Sequence, residues 1–340
     1  MKIKTSLYLL TLTALFAACK PEVDLTGEYK NITVVYGVLN PDDNVQYIKV
    51  YKGYLVNGDA RIPAQNLDSI SFYTKIQVLL EEYNSTTNQL FKTIELDTTT
   101  SVPINAGDFV NPTRVLYYTA EPINAQNRYK LRIIHKETGK EIYAETPIVS
   151  GIRITKPATN VMNLNSLSQN TLEMTSINNN AKAYSVKLKF YYIEQDNHTR
   201  EVKHGKIERN YTQYLLRGDK LNFVPKQIYE TIAANLTPNS NVTRYTDSTN
   251  CIEFEVWGTT EELARYIEIN APSSSVSQNQ RIYTNLVSKD NSAYGIFASR
   301  GSYSKRFSFS VGSGSEDTLV KGKNTGHLNF DYYHKFQGKK

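Results

Sequence analysis

The chain has 340 residues, 38.6 kDa and a formal net charge of +6, a length that predicts about two domains. With 40% hydrophobic and 21% charged residues, there is enough apolar material for packed cores, which excludes wholesale disorder. Only 2 Cys, no collagen-like period and no later apolar run of about 18 residues exclude disulfide scaffolds, triple helices and a spanning helix beyond the N-terminus.

Residues 1–18 carry Lys2 and Lys4, then an apolar stretch from Leu7 to Phe16, then Ala17-Ala18. This is the pattern of a secretory signal with small residues at the cleavage point. The next residue is Cys19. Leu15-Phe16-Ala17-Ala18-Cys19 resembles a bacterial lipobox, in which the Cys thiol is acylated and becomes the new N-terminus. Cleavage before Cys19 leaves 37 Lys and Arg against 33 Asp and Glu, a net charge of +4. Cys251 is then the only other thiol, expected to be a buried small apolar residue. The predicted anchor is lipid, worth about 0.8 kcal/mol per buried CH₂. Residues 19–28 read as a tether. Lys20-Pro21-Glu22-Val23-Asp24 resembles the Lys-plus-acid signal that sends Bacteroidota lipoproteins to the cell surface.

From residue 29 the pattern is β. The sequence has 25 Tyr and 12 Phe against 1 Trp and 3 Met, and Ile32–Leu39 is β-branched. Asn40-Pro41-Asp42-Asp43-Asn44 is turn chemistry. Val45–Tyr51 then alternates, placing Val45, Tyr47, Lys49 and Tyr51 on one face and Gln46, Ile48 and Val50 on the other. Further strands are predicted at 71–80, 89–96, 114–119, 128–135 and 141–147. Seven short strands at this spacing predict an immunoglobulin-like β-sandwich over residues 29–149.

Residues 147–154 read as a domain crossing into a second β-rich domain, 150–315. Residues 160–180, rich in Asn, Ser and Thr, are expected to form a long loop. A hairpin is predicted at 183–193 and 200–209, and a strand at 251–257. Two helices are predicted, at 225–236 and 260–270. The first has Ile228, Ile232 and Leu236 at spacing four after Pro225. The second has Thr259 and Glu262 at capping-box spacing. Two strands are predicted at 293–299 and 305–311. Residues 316–340 read as a basic C-terminal tail. The fold class expected is mainly β: an N-terminal sandwich followed by a second β-rich domain with two short helices.

No catalytic constellation is legible. His198 and His204 flank a polar turn with Glu194 and Asp196, and the turn alone explains them; no metal site is expected. Asp42-Asp43 suit their turn. Glu261-Glu262 suit a first helical turn rather than acid–base chemistry. Gly312-Ser313-Gly314 lacks the following helix that a phosphate cradle needs. There is no Gly-x-Ser-x-Gly elbow, and Cys251 has no His near it in sequence. No cofactor is implied, and the dispersed charge implies no nucleic-acid partner.

Taken together, the lipobox at Cys19, Ile32–Leu39 with Asn40–Asn44 and Val45–Tyr51, Glu261–Ile269 and Tyr294-Gly-Ile-Phe-Ala-Ser299 resemble a Bacteroidota outer-membrane lipoprotein family. That family carries a domain-of-unknown-function label and is often encoded beside TonB-dependent receptors. Ala293 and Tyr294 stand where Gly is common in its C-terminal strand. The resemblance implies a role accessory to such a receptor, with motifs that are structural and none catalytic; the lipobox and the Lys-plus-acid stretch point to an outer-membrane lipid anchor at the cell surface, with a periplasm-facing anchor as the alternative. A fimbrial or adhesin-type structural subunit is the alternative. A secreted hydrolase is the third reading, opposed by the missing nucleophile and metal motifs.

Overall fold

The structure, a computed structural model, describes residues 32–53, 61–102, 114–165, 169–212, 215–247, 250–271, 282–309 and 314–336. The signal segment, Cys19 and the tether lie outside the described residues. So do residues 272–281 and Gly312-Ser313.

The first half of the chain contributes β1 (Thr33–Leu39), β2 (Gln46–Lys52), the single-turn helices α1 (Arg61–Ala64) and α2 (Leu67–Ile70), and β3 (Ile76–Tyr83). It continues with β4 (Leu90–Glu95), β5 (Asp97–Thr99), β6 (Leu116–Thr119), β7 (Arg128–His135) and β8 (Glu141–Pro147). Then come β9 (Ile152–Lys156), β10 (Val161–Met162), β11 (Asn170–Ser176), β12 (Ala183–Asp196), β13 (Val202–Asn210), β14 (Leu216–Arg217) and β15 (Lys220–Phe223). The chain ends with α3 (Lys226–Asn235), β16 (Val242–Thr246), β17 (Ile252–Thr259), α4 (Glu261–Asn270), β18 (Val287–Ser288), β19 (Ala293–Phe309) and α5 (Ser315–Lys321). The protein is mainly β, as its alternating apolar pattern predicts.

Two sheets form the first sandwich. One is β18-β8-β7-β3-β4; the other is the β19-β1-β2-β6-β5 part of an 11-stranded sheet. Val35, Ile48, Val50 and Tyr117 from the long sheet meet Val78, Leu80, Leu131, Ile133 and Ile142 from the other in one buried cluster. Each comes from a period-2 pattern, so every strand gives its apolar face to the same interior. The second unit packs the β13-β12-β17-β19 part of the long sheet over β15-β11-β9. Its core joins Val186, Leu188, Phe190, Phe254 and Phe307 to Leu172, Met174 and Phe223, closed by Ile228, Tyr229 and Ile232 of α3.

Strand β19 ties the two units together. Ala293–Ser299 pairs in parallel with β1, and Arg300–Phe307 pairs antiparallel with β17. At the changeover the Ser299 hydroxyl accepts from Val149 N at 3.0 Å, and Ser299 O accepts from Thr260 N at 3.1 Å. The expected partition at 150–315 is therefore corrected: Leu286, Ala293 and Phe297 belong to the first core. The two strands expected at 293–299 and 305–311 are one strand. Arg300-Gly-Ser-Tyr-Ser304 reads as a break, but β17 supplies it with a partner.

Three more expectations change. The loop expected at 160–180 contains β10 and β11, because Met162, Leu164, Leu172 and Met174 are buried beneath its polar residues. The tail expected from residue 316 is structured as far as Phe336, with Leu319, Leu328 and Phe330 in the second core. Arg244, itself buried, holds it there by donating to Leu328 O at 2.8 Å and to Thr237 O at 3.0 Å while pairing with Glu194 at 2.7 Å. The capping box does not form: the cap of α4 is Thr260 and no side-chain cap bond is made.

Candidate binding face

Strand register places tyrosines together on the outer face of the first sandwich. Tyr36 sits opposite Lys49, and Val34 opposite Tyr51; Tyr47 sits opposite Tyr118. The inward positions Val35, Ile48, Val50 and Tyr117 fill the core, so these residues must point the other way. Tyr36 and Tyr47 are 37% and 43% exposed, enough for ring faces to meet a partner. Helix α4 shields the neighbouring strip: Leu263 covers Ile296 and Ala298 of β19, with Tyr266, Ile267 and Val38 packed around them.

Tyr266 closes the cluster. Its ring lies edge-on to Tyr36 at 6.1 Å, and Tyr36 stacks on Tyr51 at 6.0 Å. Burial first, and the neighbouring Tyr36 hydroxyl second, push the Tyr51 and Tyr266 hydroxyls well above the ordinary phenol range. They remain neutral at any physiological pH.

Two cations sit within this ring. Lys49 Nζ lies 4.6 Å from the Tyr51 ring centroid, a contact worth about 0.5–2 kcal/mol. Burial holds the Lys49 ammonium below its usual range, and the nearby Arg114 charge adds to that. Arg114 Nε is buried and has no hydrogen-bond partner, an arrangement that costs about 1–3 kcal/mol. Among the described residues, neither Lys49 nor Arg114 forms an ion pair. Asp97, opposite Tyr118 on the same face, does not reach them.

The outer face of the second unit is different. Across four strands, Glu208, Lys189, Glu253 and Arg306 stand side by side. Lys189 reaches Glu253 at 3.3 Å and Glu255 at 3.2 Å, and Arg306 reaches Glu253 at 3.0 Å. Tyr191 donates to Glu253 at 3.1 Å, and Arg306 lies 4.2 Å from the Tyr191 ring. Burial alone would raise the Glu253 carboxyl; the bonds from Arg306, Tyr191 and Lys189 outweigh it and hold it below the usual range.

A cleft of about 580 Å³ at one end of the first sandwich is lined by residues including Lys52, Phe72, Thr74, Lys75 and His135. His135 is buried, with Nε2 at 3.2 Å from Thr33 Oγ1 and its ring edge-on to Phe72 at 4.7 Å. Burial and Lys140 lower its pKa against a weaker opposing pull from Asp290, so the imidazole is neutral at pH 7. A neutral, hydrogen-bonded, aromatic-packed His plugs the end of a sandwich.

The residues singled out in the sequence fall into structural roles. Asp196 accepts from the backbone of His198 and Thr199, at 2.8 Å each, and closes the hairpin turn. His204 pairs with Asp247 at 2.7 Å. No group of three or more His, Cys, Asp or Glu able to hold a metal ion occurs among the described residues. Asp43 accepts from Asn40 Nδ2 at 2.9 Å, within its turn. Glu261 binds Arg265 at 2.7 Å and Arg217 at 2.5 Å. Cys251 is fully buried, and burial pushes its thiol far above the usual range. The alternation of residues 45–51 already set Tyr47, Lys49 and Tyr51 on one face. Nothing in the sequence signalled that Arg114 and Tyr266, from distant segments, would join them.

No family model matches the chain, and no curated protein matches it. Among solved structures, it is similar to the C-terminal globular domain of an oligosaccharyltransferase from Pyrococcus abyssi, at 11% identity and a TM-score of 0.17. The match covers 59% of this chain and 41% of that one, so the chain spans under half the length of that neighbour. A likeness at this level carries no argument about fold or role.

Proposed function

We propose that the chain is a lipid-anchored binding protein of the bacterial cell envelope. It is held in the outer membrane through an acylated Cys19, faces the cell surface and catalyses nothing. It partners an outer-membrane TonB-dependent receptor in ligand capture or uptake. The observation that carries this reading is the tyrosine face. Tyr36, Tyr47, Tyr51, Tyr118 and Tyr266 supply broad amphipathic contact area at low entropic cost. A lipid tether keeps the face at high effective concentration near a membrane partner, so a modest contact suffices.

Two experiments test it. Metabolic palmitate labelling should mark wild type and not Cys19→Ala; equal labelling of both would remove the anchor. Affinity purification from outer membranes in mild detergent should bring down a TonB-dependent receptor. Recovery of the protein without any receptor would contradict the accessory role.

One observation favours the fimbrial alternative. Strand β4 is an open edge of its sheet, and Phe91 on it is 73% exposed. Such an edge can accept a strand from another subunit. A detergent-resistant polymer ladder in the purified material would support that reading instead.

A further inference from the structure

We infer that Lys49 and Arg114, inside the tyrosine ring, form the docking point for a carboxylate of an acidic peptide segment presented by a protein partner. The inference rests on reading this face as a partner surface, and it names the partner's chemistry.

Charge is the first argument. The other half-buried or buried cations of this sheet have partners among the described residues: Lys189 has Glu253 and Glu255, Arg244 has Glu194, Arg209 donates to Gln227 O and Lys305 to Pro157 O. Lys49 and Arg114 stand side by side with none among the described residues. Tyr51 and Tyr266 cannot supply the missing charge, because burial keeps their hydroxyls protonated. Among the described residues, Lys49 meets the ring face of Tyr51 and no carboxylate. Two like charges held this way lack a counter-charge that an incoming anion would provide.

Directionality is the second argument. The Arg114 Nε–H is buried without an acceptor. A guanidinium presents its N–H groups in a planar fork that matches the two oxygens of a carboxylate. An Asp or Glu side chain would bind the guanidinium through its remaining N–H groups and share its charge with Lys49.

Shape decides the class of ligand. The site lies on a sheet face spread over β1, β2 and β6 and bordered by α4. Small-molecule sites are concave and enclose most of their ligand. A broad face with aromatic residues around a charged centre has the composition of a protein interface. The partner segment is therefore acidic, with apolar or aromatic residues beside its acids to lie on Tyr36 and Tyr47.

The test uses the full-length protein in mild detergent and two fluorescein-labelled peptides. One is built from Asp, Tyr and Gly; the other has every Asp replaced by Asn. Anisotropy titration should show the acidic peptide binding at least about tenfold more tightly, with affinity falling as salt rises. Lys49→Gln and Arg114→Gln should each weaken the acidic peptide by about tenfold and leave the Asn peptide unchanged. Lys49→Arg should retain binding, which separates a charge effect from misfolding. Equal binding of both peptides would overturn the inference, as would unchanged binding by the Gln variants. Attachment to vesicles of anionic lipid with no response to the acidic peptide would also overturn it.

Receptor co-purification with the Lys49→Gln/Arg114→Gln double variant separates the two levels. A receptor recovered equally with wild type and double variant overturns the docking point and leaves the accessory role standing. Acidic-peptide binding that depends on both cations, with no receptor recovered by wild type, supports the docking point and contradicts the receptor role.

Discussion

The two halves of β19 carry opposite kinds of surface. Beside Arg300–Phe307, the outward residues form a row of alternating charge, Glu208–Lys189–Glu253–Arg306, in which each cation meets an acid. Beside Ala293–Ser299, the neighbouring strands β1 and β2 carry tyrosines and Lys49, and Arg114 lies close by without an acid among the described residues. The strands belong to one sheet and obey the same alternation. What differs is whether the chain supplies its own counter-charges. A surface that satisfies its own charges needs no partner. One that leaves two half-buried cations and a buried Nε–H unmatched among the described residues retains electrostatic energy that an incoming anion can release.

The comparison depends first on β19 joining both units. Gly295 has φ +108°, and a Cβ there would lie 1.9 Å from Val35 O. Gly295→Ala must therefore push β1 away from β19. It should cost about 3–4 kcal/mol, read as a lower urea midpoint. An unchanged midpoint would show that the β1–β19 pairing is not needed for the fold.

The second largest effect should come from Arg244. Arg244→Met leaves the carbonyls of Leu328 and Thr237 without their donor and Glu194 without its cation. Glu194 keeps some access to water, so the expected loss is about 2–3 kcal/mol. Hydrogen exchange should then rise across residues 314–336 before it rises in the first sandwich. Uniform exchange would mean that the C-terminal segment is not a separable layer.

The compensated face gives a smaller, pH-dependent effect. The Glu253 carboxyl lies below its usual range in the folded chain. Its contribution is therefore complete above the unfolded value of about 4.3 and is lost as pH falls through the lower folded value. Glu253→Gln should cost about 1–2 kcal/mol at pH 7 and flatten the acid limb of the stability curve. An unaltered acid limb would assign that limb to other carboxylates.

The smallest effect belongs to the tyrosine face. Tyr36→Phe removes one hydroxyl from a half-exposed network and should change stability by about 0.5 kcal/mol. A loss comparable with that of Arg244→Met would make this network a folding element instead of a contact surface.

Much of this comparison was legible in the sequence where period and turn chemistry agreed. Strands 128–135 and 141–147 emerge at the expected bounds, because each alternates cleanly around a short polar turn. The split of residues 45–51 into a tyrosine–lysine face and an Ile48–Val50 face is likewise observed. The sequence failed where composition hid the period. Residues 160–180 look like a loop because Asn, Ser and Thr outnumber the apolar residues, yet Leu172 and Met174 still alternate into the core. The tail looked solvated because its lysines are conspicuous, whereas Leu328 and Phe330 decide its place. The binding face was half visible. Local alternation gave Tyr47, Lys49 and Tyr51, but Arg114 arrives just ahead of β6 and Tyr266 on α4. Only the folded arrangement brings those segments together.

The most direct test of the account is a photocrosslink in living cells. A photoreactive phenylalanine analogue is placed at Tyr47 on the tyrosine face and, separately, at the exposed Ser304 on the compensated face. The account predicts that the Tyr47 probe couples to a TonB-dependent outer-membrane receptor, identified by mass spectrometry, and that the Ser304 probe does not. Coupling to the receptor from Ser304 alone, or from neither position in cells where the protein is lipid-anchored, would contradict it.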